Sequence, residues 1–287
     1  MSDSKDAPTS DTLPRIAMIG VGSMGGAILA GLRAPEVDIA LPIVVTTKSV
    51  TSAQAFAGDD DVTALSSEQD ADANKTAVRD AELVVLAVKP WMVRDVVREI
   101  ANDLAPGAVV VSVAAGVPSS AIEDKLPDGV PVVRAMPNTP ATIGLGVTGI
   151  AAGAAATDAH IELVRRLFAT VGEVLVVRED QINDIAAVSG SGPAYLFLYA
   201  EEMTQAAERR GFDEDQARVL VQQTIVGAAE LWAHSDDTPE ELRRKVTSPK
   251  GTTEQAVLVL QEANWGELFD RALAANARRS EELERGE

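Results

Sequence analysis

The residues with the most chemical potential in this chain of 287 are glycines, hydroxyls and a few lysines at fixed spacings, not an acid–base pair or a nucleophile. Arg15 to Gly20 reads as a short buried strand that runs into Gly20-Val21-Gly22-Ser23-Met24-Gly25 and then an Ala/Leu-rich helix. In a strand–turn–helix context this G-x-G-x-x-G spacing has a mechanical reason. One glycine makes the turn, one lets a pyrophosphate approach the backbone, and one lets helix and strand pack closely, with phosphate charge on the helix N-terminus. A second group is Val246-Thr247-Ser248-Pro249-Lys250-Gly251-Thr252-Thr253, which leads into a helix predicted over Glu254 to Leu260. Thr252 with Gln255 reads as a capping box. The unpaired N–H groups of that helix start, with the hydroxyls of Ser248 and Thr253, offer a seat for a small carboxylate, although the same pattern also serves as a plain capped helix.

The element between these groups is Ala187 to Phe197, AVSGSGPAYLF. Before it, short β-branched runs alternate with helical segments; after it, the chain reads as helix. Gly190, Gly192 and Pro193 fit a hinge between two architectures, with the proline in the first helical turn. In the N-terminal half, Pro42 to Thr46 is a second strand, followed by buried parallel strands at Leu83 to Val88 and Ala108 to Val113. Val130 to Ala135 and Val174 to Val177 complete the set, with a helix from Asp158 between them. Thr46-Thr47-Lys48-Ser49 stands about 20 residues past the last glycine of the turn, where a ribose-reading acid is expected in an NAD site. No carboxylate is there. Hydroxyls and a lysine suit a 2′-phosphate, so NADP is favoured over NAD, with a solvated loop that happens to contain Lys48 as the alternative. Leu83 to Val88 stops at Lys89-Pro90, at the strand end where open α/β sheets place ligands, and Ala114-Ala115-Gly116 has side chains small enough to admit a flat ring. Met136-Pro137-Asn138-Thr139-Pro140 reads as a rigid loop.

In the C-terminal half, Asp213 with Gln216 and Thr238-Pro239-Glu240-Glu241 open helices, and the segment between carries apolar residues from Ala217 to Leu231 at helical spacing. So much amphipathic helix cannot bury its apolar stripes alone, which predicts helix packing with a second copy.

Composition narrows the classes. The formal charge of −19, from 44 acidic against 25 basic residues, argues against nucleic acid and anionic membrane as partners, since both need a basic face. The chain has no cysteine, and its two histidines, His160 and His234, do not make a metal site, so no metal is expected. Residues 1–13 are polar and without the order of a secretory signal, and no apolar run reaches bilayer-spanning length. The expectation is a loose tail over 1–13, a dinucleotide-binding domain over 14–178, an α-helical domain over 179–287, and a cytoplasmic protein.

Several blocks together resemble the Δ1-pyrroline-5-carboxylate reductase family: VVLAVKP at Val84 to Pro90, SVAAGV at Ser112 to Val117, RAMPNTP at Arg134 to Pro140, AVSGSGPAY at Ala187 to Tyr195 and VTSPKGTT at Val246 to Thr253. The resemblance spans nearly the whole chain after the tail. It implies an α/β protein: an N-terminal Rossmann-like doubly wound sheet followed by an all-α C-terminal dimerisation domain. It also implies reduction of pyrroline-5-carboxylate to L-proline by NADPH, with NADH as the alternative cofactor, in a homodimer that builds a higher homo-oligomer such as a decamer. By the same resemblance Ile19, Gly20, Val21, Gly22, Ser23 and Met24, with Ala87, Val88, Lys89 and Pro90, line the cofactor beside Gly25 of the turn. Asn74 and the turn of Thr46, Thr47, Lys48 and Ser49 stand near its adenosine end. Ser248, Gly251 and Thr252 take the substrate carboxylate and Thr253 stands near the ring nitrogen, as the group expected to orient it for reaction. Two departures from the family pattern are Trp91, where a polar residue is frequent, and Lys250, which replaces a usual glycine.

A protonated cyclic imine is already electrophilic, so its reduction can rest on orientation and electrostatics, which suits a chain with no Ser/His or His/Asp constellation. Lys89 is either an electrostatic contributor or a strand-end residue that touches only cofactor. Another NADP-dependent imine or β-hydroxyacid oxidoreductase is the enzymatic alternative. β-Hydroxyacid dehydrogenases share G-x-G-x-M-G and a helical second domain but need an interior-helix lysine after the domain junction, and Gln205 to Arg210 contains none. From another class, a dimeric scaffold that binds NADP without turnover is the remaining alternative.

Overall fold

Alternation along β1 (Ile16–Ile19) sorts the interior of the first unit. Ile16 and Met18 point to one face of the sheet, Ala17 and Ile19 to the other, and all four are buried. A strand covered on both faces belongs in the middle of a parallel sheet with helices on each side. The computed structural model describes residues 12–285 and shows that arrangement.

The chain falls into two compact units, one running to Gly190 and taking up the chain again from Asn276, the other Ser191–Ala275. The first contains β1, α1 (Ser23–Leu32), β2 (Ile43–Thr47), α2 (Val50–Gln54), β3 (Val62–Ser66), α3 (Ala73–Val78), β4 (Leu83–Leu86) and α4 (Pro90–Ile100). It continues with β5 (Val109–Ser112), α5 (Ser119–Glu123), β6 (Val132–Met136), β7 (Gly146–Ala152), α6 (Asp158–Ala169), β8 (Gly172–Val176) and a short α7 (Ile182–Ile185). The eight strands lie in the order β3-β2-β1-β4-β5-β6-β7-β8. β1 to β6 are parallel, β7 is antiparallel to β6, and β8 is parallel to β7. On one face Ile16 and Met18 pack with Ile28 and Leu32 of α1 and Phe168 of α6; on the other Ala17 and Ile19 pack with Val93, Val97 and Ile100 of α4. This is a Rossmann-like sheet, whose strand order reverses between β1 and β4 and opens the ligand crevice there.

Two expectations need correction here. The sheet also includes β3 and β7, which were not among the expected strands. The compact unit of the sheet runs to Gly190, with Ile182, Ala186 and Ala187 buried and Glu179 paired with Arg134 of β6, and it takes in the end of α12 (Trp265–Arg285). Leu13 is no part of a loose tail: it is buried and bridges in parallel to Ile39. Thr12 beside it is half-buried and donates its hydroxyl to Asp38, and the remainder of the tail expectation, residues 1–11, lies outside the described residues.

The second unit is helical: α8 (Gly192–Arg209), α9 (Glu214–Ala233), α10 (Pro239–Lys245), α11 (Thr252–Glu262) and the start of α12. The local signals place these helices. Pro193 sits in the first turn of α8, the Asp213–Gln216 capping box opens α9, and Thr238 caps α10 with Pro239 in the first turn and Glu241 closing the box. A π-helical turn, Ala186–Gly190, ends the first unit just before α8. α8 buries no side chain within the described chain, and α9 buries only Ala217 and Val221, while Phe197 and Val259 are each 66% exposed. Among the described residues no helix is long and apolar enough to cross a membrane.

Candidate functional site: a glycine turn and a hydroxyl loop

Each glycine of the first turn has its own geometric reason. Gly20 adopts φ +92, and a Cβ there would stand 3.0 Å from the carbonyl oxygen of Ala87. Gly22, which caps α1, has nothing within 4 Å of a notional Cβ, so the space over its backbone is open. Gly25 is the opposite case, since a Cβ would meet the carbonyl oxygen of Gly20 at 2.4 Å and the Cβ of Ala87 at 3.1 Å. The turn therefore folds back on itself at Gly20 and Gly25 and leaves Gly22, with exposed Ser23 and half-buried Val21 and Met24, along an open helix start. That combination fits a pyrophosphate laid over the first turn of α1.

Neighbouring elements bring the other cofactor-side residues to the same sheet edge. Ile19 pairs with Thr46 on one side and Leu86 on the other, and the N–H of Ala87 donates to the carbonyl of Ile19 at 2.9 Å. Ala87 and Val88 follow β4 half-buried, and exposed Lys89 caps α4, with Pro90 as its first residue. Thr46 and Thr47 prove to be buried strand residues, because β2 runs to Thr47. The Thr47 hydroxyl is committed to the carbonyl of Ser49 at 2.9 Å. Of the four residues at this turn, Lys48 is exposed and Ser49 half-buried, and these two line a cavity of about 350 Å³ with Ser67 and Glu68. Asn74, half-buried on α3, donates to the Glu99 carboxylate at 3.1 Å.

Gly116 departs from its expected use. A Cβ there would stand 2.9 Å from the Cβ of Leu283, so its smallness is consumed by the end of α12 rather than left for a ring. Nearby, Arg134 is only 3% exposed and holds that helix end: it pairs with Glu284 at 2.9 Å and with Glu179 at 3.8 Å, and donates to Asn183 at 3.0 Å. Asn138 of the rigid loop is also buried and bridges two segments. Its Nδ2 donates to the carbonyl of Ser189 at 3.1 Å, and its Oδ1 accepts the N–H of Val147 at 2.9 Å. The loop motif signalled both residues, but not which carbonyl or carboxylate each would meet.

In the second unit, α10 ends in a loop that turns at Ser248-Pro249-Lys250-Gly251, closed by the Gly251 N–H donating to the Ser248 carbonyl at 2.9 Å. Proline in the second position and a positive φ in the third belong to a type II turn, whose third position favours glycine. Lys250 fills it at φ 61, and its N–H donates to Glu254 at 2.8 Å. The capping box expected of Thr252 and Gln255 does not form. Gly251 is the residue that caps α11, in extended conformation, and Thr252 is already the first helical residue, so its hydroxyl cannot reach back over the helix start. Among the described residues the hydroxyls of Ser248, Thr252 and Thr253 have no hydrogen-bond partner, and the N–H groups of Thr252, Thr253 and Glu254 are equally free. Three free hydroxyls around an uncapped helix start of 11 residues can hold a carboxylate and present one more hydroxyl to a neighbouring atom. At the α10 start the Thr238 N–H holds the Glu241 carboxyl below the usual carboxylate range.

The two groups of residues also match known proteins. Residues 179–283 match the model described as pyrroline-5-carboxylate reductase dimerisation, and residues 15–116 match the one described as NADP oxidoreductase coenzyme F420-dependent. A pyrroline-5-carboxylate reductase of Pseudomonas aeruginosa is 41% identical over 271 residues, covering 94% of this chain and 97% of that protein. The chain belongs to the pyrroline-5-carboxylate reductase family. A Mycobacterium tuberculosis relative of the same name is 38% identical over 94% of this chain and 97% of its own. The solved structure of a pyrroline-5-carboxylate reductase from Coxiella burnetii superposes with a TM-score of 0.86 at 39% identity, covering 94% of this chain and 98% of the other. A Plasmodium falciparum pyrroline carboxylate reductase, solved with NADP bound, shares the fold at 24% identity and a TM-score of 0.80, over 94% and 98% of the two chains. Of the two departures from the family pattern, Trp91 is 76% exposed on the first turn of α4, and Lys250 carries the positive φ.

Proposed function

We infer that this chain reduces Δ1-pyrroline-5-carboxylate to L-proline with NADPH as preferred reductant, and that it does so as a homodimer. The observation that carries the reading is the pair of preorganised seats: an open glycine turn at Gly22 in the first unit, and three unpartnered hydroxyls on the Ser248 to Thr253 segment in the second. The backbone around Gly20, Gly22 and Gly25 holds the pyrophosphate, with Lys48 and Ser49 at the 2′-phosphate end. The hydroxyls of Ser248 and Thr252 and the free N–H groups at the start of α11 hold the substrate carboxylate, with Gly251 turning the backbone between them, and these charge-assisted donors need no protonation event. Thr253 orients the ring nitrogen, so that the electrophilic carbon presents one face. When bound, the nicotinamide supplies hydride to that carbon, and the nitrogen carries the proton. No strong general acid is required of the chain, since the protonated imine is the reactive form. The exposed apolar faces of α8, α9 and α11, and the match to a dimerisation model over residues 179–283, support the homodimer, and further assembly such as a decamer follows from the family resemblance alone. The acidic composition, at a formal charge of −19, speaks against nucleic acid and anionic membrane as partners, and the expected location is the cytoplasm.

Steady oxidation of NADPH on addition of pyrroline-5-carboxylate, with no reduction of NADP by 3-hydroxyacids, is the expected result. Turnover of the hydroxyacids would replace this reading with a β-hydroxyacid dehydrogenase, and binding of NADPH without turnover of either would leave a scaffold.

A further inference from the structure

The end of β2 carries no carboxylate, but the end of its neighbour does. β3 runs parallel to β2 with Ser66 opposite Thr47, so residues just past Ser66 come to lie beside residues just past Thr47. There the chain is tightly knit. The Glu68 N–H donates to the Lys48 carbonyl at 3.1 Å, the Ser67 N–H donates to that of Thr47 at 2.9 Å, and the Glu68 carboxylate accepts the Val50 N–H at 3.0 Å. Glu68 is thereby fixed as a wall of the cavity of about 350 Å³ that it shares with Lys48, Ser49 and Ser67.

This cavity stands where a dinucleotide places its adenosine ribose, past the second strand. One cation, one anion and two hydroxyls line it. A 2′-phosphate arriving there meets attraction from Lys48 and repulsion from Glu68, whereas a plain 2′-hydroxyl meets no repulsion and finds in Glu68 an acceptor. Two backbone donors of the turn are already committed, the Val50 N–H to Glu68 and the Ser52 N–H to the Ser49 hydroxyl at 3.2 Å. We propose that Glu68 is a cofactor-specificity residue: from the end of β3 it supplies the carboxylate that β2 lacks, holding down the preference for NADPH and keeping the site open to NADH. This rests on placing the adenosine ribose at the Thr46 to Ser49 turn.

The test is calorimetric titration of the full chain with 2′,5′-ADP and with 5′-AMP, for the parent, Glu68→Gln and Lys48→Ala. Glutamine keeps an oxygen for the Val50 N–H and removes only the charge, and matching thermal melts report that the turn still folds. Glu68→Gln should bind 2′,5′-ADP tighter by on the order of tenfold at low salt, with the gain shrinking as salt is added, and should bind 5′-AMP no better than the parent. The ratio of kcat/KM for NADPH over NADH should rise by a similar factor. If Lys48→Ala weakens 2′,5′-ADP alone but Glu68→Gln leaves it unchanged, or shifts both ligands equally, the ribose placement stands and the role of Glu68 is wrong. If Lys48→Ala also leaves both ligands unchanged, or neither ligand binds the parent, the placement itself fails and takes the proposal with it.

Discussion

Lys250 occupies a backbone position that glycine would hold without strain, and its φ of 61 was to be expected from the loop motif, where a lysine stands in place of a usual glycine. Replacing it with glycine relieves about 1 kcal/mol of strain and adds a comparable entropic cost to folding. Lys250→Gly should therefore leave the thermal midpoint nearly unchanged and kcat intact. If the lysine collects an anionic substrate for the seat beside it, KM for pyrroline-5-carboxylate should rise about two- to fivefold at low salt and not at high salt; a KM indifferent to salt would make it a solvated side chain. Thr253 calls for a different signature. Its hydroxyl has no partner within the described chain, so Thr253→Ala removes nothing that holds α11 together. Loss of an orienting group should lower kcat about tenfold while KM moves less, the pattern of an interaction stronger in the transition state than in the ground state. An unchanged kcat would take the substrate nitrogen away from this residue. Glu68 was not legible at all, because a ribose-reading acid is expected on the strand after the glycine turn and Glu68 follows the next strand, β3.

At the scale of elements, legibility followed burial. β1, β4 and β5 are buried along their whole length, and their unbroken β-branched runs declared them. β3 is an edge strand with only Val62 and Ser66 buried, and Thr63, Ala64 and Leu65 between them carry little pattern. β7 is obscured by its own glycines. One of them, Gly149, is required because a Cβ there would meet the Ile185 side chain at 2.9 Å, a contact visible only once α7 is packed. Helix starts were legible where a side chain caps them, at Asp213 and Thr238, and misread at Thr252, where the cap position falls on Gly251 and no side chain closes the helix start. The glycine turn was legible down to the backbone geometry of Gly20, Gly22 and Gly25, which gives a sharp expectation. Gly25→Ala presses a methyl group into backbone that cannot yield, so it should cost about 2–4 kcal/mol in urea unfolding and weaken NADPH and NADH alike. Gly22→Ala has room for its Cβ, should cost under about 1 kcal/mol of stability, and should still weaken both cofactors, since the methyl stands in the space the pyrophosphate needs. Equal stability losses for the two would contradict the assignment of packing to one and ligand approach to the other.

For the whole molecule, the first unit closes its own core on both faces of the sheet, while the second leaves Phe197, Val259 and their neighbours on α8, α9 and α11 uncovered. A second copy covering these helices is the economical arrangement, as the match to a dimerisation model supports. Light scattering at micromolar concentration should give a dimer or a multiple of one, and Phe197→Asp with Val259→Asp should shift it toward monomer and lower activity with it; a fully active monomer would contradict the dimer. Gly190, Gly192 and Pro193 mark the division into units in the sequence, but nothing there marks the return of the last helical turns to the first unit. That return depends on Arg134 meeting Glu284 across more than half of the chain. The most direct test of the central claim follows the hydride itself. With NADPH carrying deuterium at both C4 positions of the nicotinamide and pyrroline-5-carboxylate as substrate, mass spectrometry of the product should find one deuterium per oxidised cofactor, on the proline ring carbon next to nitrogen and away from the carboxylate. Oxidation of the cofactor without that label in proline, or no oxidation at all, would contradict the assignment.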